Sequence, residues 1–500
     1  MNKKMKAVCA LLGKVVMVFS LVMLVPFFYG ICINEWIWPL FFSALITLAL
    51  GILIDRNGQK NTSISLSQGF VLVSFTWILA SLVGALPYYM WNELPSFVDA
   101  LFESVSGYTA TGATVILDVD GMPRPLLLYR SMTHWFGGMG IIILLLAFLR
   151  SLGAEAANLF NAEAAINGYG QIMPRIRKYA ITLWGIYCLF SAVLFGLLCL
   201  AGMPIFEALN YAMSIIATGG FAARSAGAFI YEENYVIQAI FILFMVLSGG
   251  NYGLYYLGWK KGFRLIFKDT EFRVYISILC VGALAIAGTL FFKQNATILE
   301  SLMDGFFTMT SVQTGSGFAV ADYDLWSPFA KTILFIAMFI GGCSGSTTGS
   351  VKVIRYIYIG KAIWAYLQQM IHPGMVKVVK YNGEAVSSKK VMVTLIFFIL
   401  YILIWFASTL LVTLTGMPIM ESLAGVASTL GNVGVAFGHL GPTGSYALAH
   451  PWAKVVFIVD MLLGRLELLT LLVMLHPGFW SNFLRKDKTR LQNAKKRRYL

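Results

Sequence analysis

Four short polar runs interrupt an otherwise apolar chain: Ala110-Thr111-Gly112, Ala217-Thr218-Gly219, Gln313-Thr314-Gly315 and Asn432-Val433-Gly434. Each follows a short apolar segment opened by an acid, and each ends on glycine. Glycine takes positive φ at little cost, so a strand hinged on it can keep successive carbonyl oxygens pointing the same way. Four such strands meeting at one point would give a monovalent cation a cage of oxygens in place of its hydration shell, as potassium-channel filters do. One Thr-Gly after a helix carries no weight, because glycine ends a large share of helices. Four, each at the same point of a repeated unit, are not explained as caps alone.

A further polar run, Gly341-Gly-Cys-Ser-Gly-Ser-Thr-Thr-Gly-Ser350, breaks the apolar segment that begins at Phe329 and closes on Lys352 and Arg355. At membrane depth its backbone groups cannot face lipid, so the run must line water or be buried in protein. Gly342, Gly345, Ser346, Thr347 and Gly349 make it a weakly stabilised segment with several hinge points. It lacks the Gly-Lys-Ser/Thr order of a phosphate-binding loop. Arg465 lies inside the last apolar segment, where a charge costs at least about 2.5–3.5 kcal/mol and is functional by default. Its bland alternative is a pair with Asp460 or Glu467, but helical geometry turns Arg465 well away from both. For Lys352 and Arg355, a place at the cytoplasmic mouth and ordinary snorkelling from a helix end are both open.

The elements that must position these residues are membrane spans. Of 500 residues, 58% are hydrophobic and 12% charged, more apolar surface than a soluble domain of that length can bury. The net charge of +14 is not a nucleic-acid signature, because 30 of the 37 Lys and Arg cluster at the N-terminus, in alternate loops and in the C-terminal tail. That distribution puts both termini in the cytoplasm. The tail Lys495-Lys-Arg-Arg498 suits anionic lipid headgroups. Fourteen of the 23 acids, Asp99, Glu103, Asp118, Asp120, Asp322 and Asp324 among them, fall on the opposite side with six basic residues. Such an acidic funnel concentrates cations. Six single cysteines and five scattered histidines suggest neither a disulfide framework nor a structural metal. His134, Trp135 and His372 read as packing or interfacial residues.

The expected fold is all-α and polytopic: an N-terminal helix pair over 1–67, then a unit of span, half-helix, polar loop and span repeated four times. The repeats run over 68–152, 153–262, 263–389 (with the Gly-rich segment and a cytoplasmic link) and 390–480, before a basic tail at 481–500. The near-copies Gly202-Met-Pro-Ile-Phe-Glu207 and Gly416-Met-Pro-Ile-Met-Glu421 mark the repetition. An acid opens each half-helix (Asp99, Glu207, Glu300 or Asp304, Glu421), where the helix dipole favours it. Single spans are expected at 235–258 and 452–475.

These loops, with Gly342-Cys-Ser-Gly-Ser-Thr-Thr-Gly349, Thr133-His-Trp-Phe-Gly-Gly-Met-Gly140, Ser248-Gly-Gly-Asn-Tyr-Gly253, Ile371-His-Pro-Gly374 and Leu463-Gly-Arg-Leu-Glu467, resemble the Trk/Ktr/HKT superfamily of potassium transporters. Within it the chain is most similar to the bacterial TrkH-type membrane subunit, whose extra N-terminal helix pair matches 10–54. The resemblance implies potassium uptake by a homodimer in the bacterial inner membrane, one pore per protomer. It implies no cofactor in the chain beyond potassium as transported ion, and a separate TrkA/KtrA-like cytoplasmic ring of nucleotide-binding subunits. It makes Gly341–Ser350 a gating loop below the filter, with Arg465 beside it. It also makes glycine at all four filter positions (112, 219, 315 and 434) a mark of potassium preference. Gly431-Asn432 and Gln313 depart from the family pattern and touch the fine selectivity. The competing readings are a proton- or sodium-coupled symporter on the same fold and a poorly selective potassium/sodium channel. An enzyme would need a catalytic constellation at depth that the chain does not offer.

Overall fold

The computed structural model describes residues 3–35, 38–58, 66–92, 94, 96–149, 176–294, 296–374 and 377–484. The expected basic loop after Arg150, the boundary at 152–153 and the tail from 485 onward lie outside the described residues.

Apart from one two-stranded hairpin, the described fold is helical. Helices α1 (Lys3–Ile33) and α2 (Trp38–Arg56) form an antiparallel pair, with α1 packed on α3 and α6 of the first repeat. The first repeat comprises α3 (Leu66–Gly84), α4 (Leu86–Trp91), α5 (Phe97–Thr109) and α6 (Arg124–Leu149). The second comprises α7 (Ile176–Leu200), α8 (Ile205–Ile216), α9 (Tyr235–Gly249) and α10 (Tyr252–Lys261), followed by the short α11 (Arg264–Lys268). The third comprises α12 (Thr270–Gln294), α13 (Ile298–Thr314), α14 (Pro328–Phe339) and α15 (Val353–Ile371). The hairpin β1 (Lys380–Tyr381) and β2 (Glu384–Ala385) follows, turning on Asn382-Gly383, whose φ angles of 48° and 86° suit a tight two-residue turn. The fourth repeat comprises α16 (Ser388–Thr413), α17 (Ile419–Gly431), α18 (Pro451–Arg465) and α19 (Leu469–Leu475), and α20 (Pro477–Leu484) closes the described chain.

By length and composition, six described helices can each cross a membrane, or seven when the bent pair α9–α10 counts as one span. The chain is a multi-pass membrane protein, its apolar faces largely outward: Leu21, Leu53, Leu284 and Leu414 are all exposed. Burial reverses the usual logic. Many of the fully buried polar residues lie in the four half-helices, where Glu103, Asn210, Thr310 and Ser428 have no exposed surface.

Two expected spans are broken. α9 and α10 meet at 93°, because Gly249-Gly250 ends one helix and the Asn251 side chain, accepting from the Leu254 N–H at 3.1 Å, starts another. The last span breaks between Arg465 and Leu469, where Glu467 and Leu468 take φ of 53° and 43°. With the expected break between α14 and α15, three repeats have an interrupted second span. Intact hydropathy hides two of the three breaks.

Candidate functional site

The four half-helices end in one pattern. A serine one turn before the end accepts, through its carbonyl, the N–H five residues on: Thr111 to Ser106 (2.9 Å), Gly219 to Ser214, Ser316 to Ser311 and Val433 to Ser428 (2.8 Å each). The intervening residue bonds three residues back: Ala110 to Gly107, Thr218 to Ile215, Gly315 to Val312 and Asn432 to Thr429. This is the Schellman closure, which requires a left-handed residue. Ala110, Thr218, Gly315 and Asn432 supply it, with φ of 52°, 54°, 68° and 53°. Two residues later the backbone is left-handed again, at Gly112, Gly220, Gly317 and Gly434 (φ 85°, 88°, 66° and 96°).

The four loops close into a ring. A Cβ built on Gly112 would strike the Gly219 carbonyl oxygen, and one on Gly220 would come within 2.6 Å of the Ser316 carbonyl oxygen. On Gly317 it would strike the Val433 carbonyl oxygen, and on Gly434 the Thr111 carbonyl oxygen. Each loop thus abuts the next, and the fourth returns to the first. Only glycine permits this approach at all four corners.

The ring corrects the register drawn from sequence. The equivalents of Gly112 and Gly434 are Gly220 and Gly317, not Gly219 and Gly315. Gly219 matches Thr111 and is backed by His134, whose ring would strike its Cβ, while Gly315 matches Ala110 and Asn432. Ala217 and Gln313 fall one and two residues before the left-handed corner. A fixed signal was present: an acid, six residues, then serine (Asp99 to Ser106, Glu207 to Ser214, Asp304 to Ser311, Glu421 to Ser428). It also decides between the two third-repeat acids. Asp304 is the equivalent position, and Glu300 forms a capping box with Thr297 on one additional turn of α13.

The run between α14 and α15 lies against this ring, bonds the second and fourth repeats directly and is linked to the first through Arg465. The Cys343 N–H donates to the Gly249 carbonyl at 2.8 Å, and Thr347 Oγ1 donates to the Ile216 carbonyl at 3.2 Å, both in the second repeat. Ser350 Oγ donates to the Gly431 carbonyl at 3.0 Å, in the fourth. Arg465 completes the set, with Nη1 donating to the Thr347 carbonyl (2.7 Å) and Nη2 to the Gly137 carbonyl of the first repeat (3.0 Å). A segment of one repeat that bonds two others, and is tied to the remaining one by Arg465, lies at the centre of the bundle.

A family model described as a cation transport protein, TrkH, matches residues 40–481. The Trk system potassium uptake protein TrkH of Salmonella typhimurium is 34% identical over 95% of this chain and 99% of its own length. TrkH of Escherichia coli K12 is 33% identical over the same shares. The crystal structure of the potassium transporter TrkH from Vibrio parahaemolyticus superposes with a TM-score of 0.86, at 31% identity, over 96% of this chain and 99% of that one.

The chain belongs to the TrkH family.

Within this TrkH-family chain several contacts around the ring were not legible beforehand. Glu103 and Arg130, both buried, form an ion pair at 2.7 Å. Glu103 also accepts from Thr114 Oγ1 and the Val115 N–H beyond the first loop. Arg130 donates to the Ala222 carbonyl at 3.0 Å and stacks on the Phe221 ring at 3.5 Å, beyond the second loop. His134, expected as a packing or interfacial residue, is buried: its ring stacks on Phe221, with centroids 3.9 Å apart, and bonds Ser214 Oγ at 3.0 Å. It thereby supports the second loop from behind.

The charges near the Gly-rich segment are also arranged differently. Lys352 does not stand at an open mouth; it is buried and its ammonium turns back onto the Thr348 carbonyl and hydroxyl. Arg355 pairs with Glu467 at 2.6 Å and lies over the Phe397 ring, linking the breaks of the third and fourth repeats. Asp460 accepts from Ser408 Oγ at 2.6 Å. Neither acid takes up Arg465, whose bonds run to carbonyls.

Proposed function

We propose that this chain takes up potassium through the ring of four loops, with the Gly341–Ser350 segment as the gate beneath it. The reading rests on one observation: four equivalent loops abut in a closed ring, each with glycine at its second left-handed position. Left-handed residues alternating with ordinary ones swing successive carbonyls to one side of a strand, and four such strands supply the oxygens that replace a monovalent ion's water. The reading takes the binding oxygens from the backbone of 110–112, 218–220, 315–317 and 432–434, and leaves Ala217 and Gln313 as the residues that lead into the ring. The names of the relatives, potassium uptake proteins of Trk systems, support potassium as the ion.

In this reading Arg465 holds the gate by its grip on Thr347, and its charge opposes a cation there. Gly342, Gly345, Ser346, Thr347 and Gly349 are the moving residues. Both termini, α10, the β1–β2 hairpin and the basic tail face the cytoplasm and anionic lipid, in keeping with the clustering of Lys and Arg. The chain works as a homodimer under a TrkA-like nucleotide-binding ring. The exposed apolar end of α15 (Ile363, Trp364, Leu367, Met370, Ile371) supports a second copy there.

Potassium and sodium flux into proteoliposomes tests the core of the reading. Uptake should follow the potassium gradient alone and persist with no proton or sodium gradient. A strict requirement for either gradient would replace the channel with a coupled symporter.

A further inference from the structure

The start of α12 joins the Gly-rich segment to the cytoplasmic hairpin through two acids that the pore does not use. Glu271 is 2% exposed. Its Oε1 accepts the Ser344 N–H at 2.7 Å and the Ile354 N–H at 3.1 Å. Ser344 lies inside the segment and Ile354 in the first turn of α15, so one oxygen clasps both sides. Asp269, two residues earlier, accepts from Asn382 Nδ2 at 2.7 Å and Tyr381 Oη at 3.2 Å, and Asn382 Oδ1 accepts the Thr270 N–H at 3.0 Å. Hairpin, α12 and segment therefore share one run of hydrogen bonds.

We propose that Glu271 is a positioning residue that clasps the intramembrane segment in its observed conformation, and that Asp269 and Asn382 tie this clasp to the cytoplasmic hairpin. The proposal deepens the gate reading above and rests on it for its effect on flux. A carboxylate that accepts two N–H groups away from water makes charge-assisted bonds, roughly twice as strong as neutral ones. Moving the segment away from α15 breaks the Ser344 bond and leaves that buried N–H without its acceptor, which is costly. Displacing the hairpin pulls on α12 at Asp269 and Thr270 and so shifts Glu271. A cytoplasmic event at the hairpin thereby reaches the segment without touching the ring.

Cys343 reports on the clasp directly. It lies in the segment beside Ser344, is 1% exposed, and is one of six cysteines. In the full chain in nanodiscs, with the other five cysteines replaced by serine, the rate of N-ethylmaleimide modification of Cys343 measures how often the segment leaves its seat. Glu271→Ala is expected to raise that rate about tenfold, and Glu271→Gln, which keeps the accepting oxygen but not the charge, about threefold. Asn382→Ala, outside the membrane, should raise it about twofold to threefold by releasing the hairpin. A rate unchanged by both Glu271 variants overturns the clasp, and Glu271→Gln decides alone if Glu271→Ala does not fold. A rate unchanged by Asn382→Ala removes the hairpin from the proposal. Resting potassium flux should rise in the same order as labelling. Labelling that rises while flux stays level leaves the clasp standing and rejects the segment as the gate.

Discussion

Glu103 and Arg130 support the ring from one corner only. Glu103 stands three residues before Ser106, and the corresponding positions in the other repeats are Tyr211, Thr308 and Gly425, none of which carries a charge. The pair bonds backbone beyond both the first and the second loop, so it fixes the width of that corner. Removing one partner of a buried pair leaves the other charge uncompensated and costs about 3–5 kcal/mol. Glu103→Gln should therefore lower the melting temperature of the purified protein and weaken potassium over sodium preference. The double variant Glu103→Gln with Arg130→Met should recover part of the stability. Equal melting of parent and single variant would show that the pair is dispensable. Arg465 makes a second prediction at this scale. Arg465→Gln loses the fork that spans Thr347 and Gly137 and removes a cation from the pathway, so resting flux should rise about tenfold or more. A resting flux equal to the parent's sinks the gate role. Neither pair of contacts is visible in sequence, because residues 27 and 118 or more positions apart meet only through packing.

At the scale of elements, the half-helices set the register of the ring. Their common serine closure fixes which glycine faces which neighbour, whereas the glycine-rich stretches Gly219-Gly220 and Gly315-Ser-Gly317 each offer two choices to a reader of sequence. The two choices differ in what a side chain would meet. A Cβ on Gly317 overlaps the Val433 carbonyl, while one on Gly315 stops 3.0 Å from the Asn432 carbonyl. Gly317→Ser must push its neighbour strand outward, so it should cut potassium over sodium selectivity by about tenfold, roughly 1.4 kcal/mol. Gly315→Ser should have a smaller effect. Reversal of that order in competitive flux assays would restore the register read from sequence. The breaks at Gly250 and at Glu467-Leu468 are elements of the same kind. Both replace a straight span by a turn whose freed backbone groups are satisfied inside the protein, which is the condition for irregular chain at membrane depth.

For the whole molecule, pseudo-fourfold order and its violations share the work. The first repeat keeps an unbroken second helix, the third contributes the long segment, and the fourth contributes Arg465, so the centre is asymmetric although the ring is not. The proposed orientation rests on the clustering of Lys and Arg. A cysteine in place of Gly383, in the hairpin, should resist a membrane-impermeant thiol reagent in intact cells, while one in place of Asp120 should react. Labelling of Gly383→Cys from outside would invert the topology. The proposed dimer predicts a particle of twice the chain mass in detergent, reduced to one chain by Trp364→Glu. A particle of one chain mass before substitution removes that face from the assembly.

Sequence by itself determined the class, the fourfold repetition, the family and the four polar loops. These are local or periodic properties: hydropathy, charge clustering, and a half-helix followed each time by a glycine-bearing polar loop. The Gly341–Ser350 break was legible for the same reason, being rich in residues that lipid cannot accept. Tertiary structure decided the rest: the pairing of Gly220 and Gly317 with Gly112 and Gly434, the burial of Lys352, the partners of Arg465, and the clasp at Glu271. Each depends on a neighbour distant in the chain. Propensity describes what a residue prefers, but a carboxylate such as Glu271 acquires its role only when packing brings two N–H groups from beyond the next helix against it.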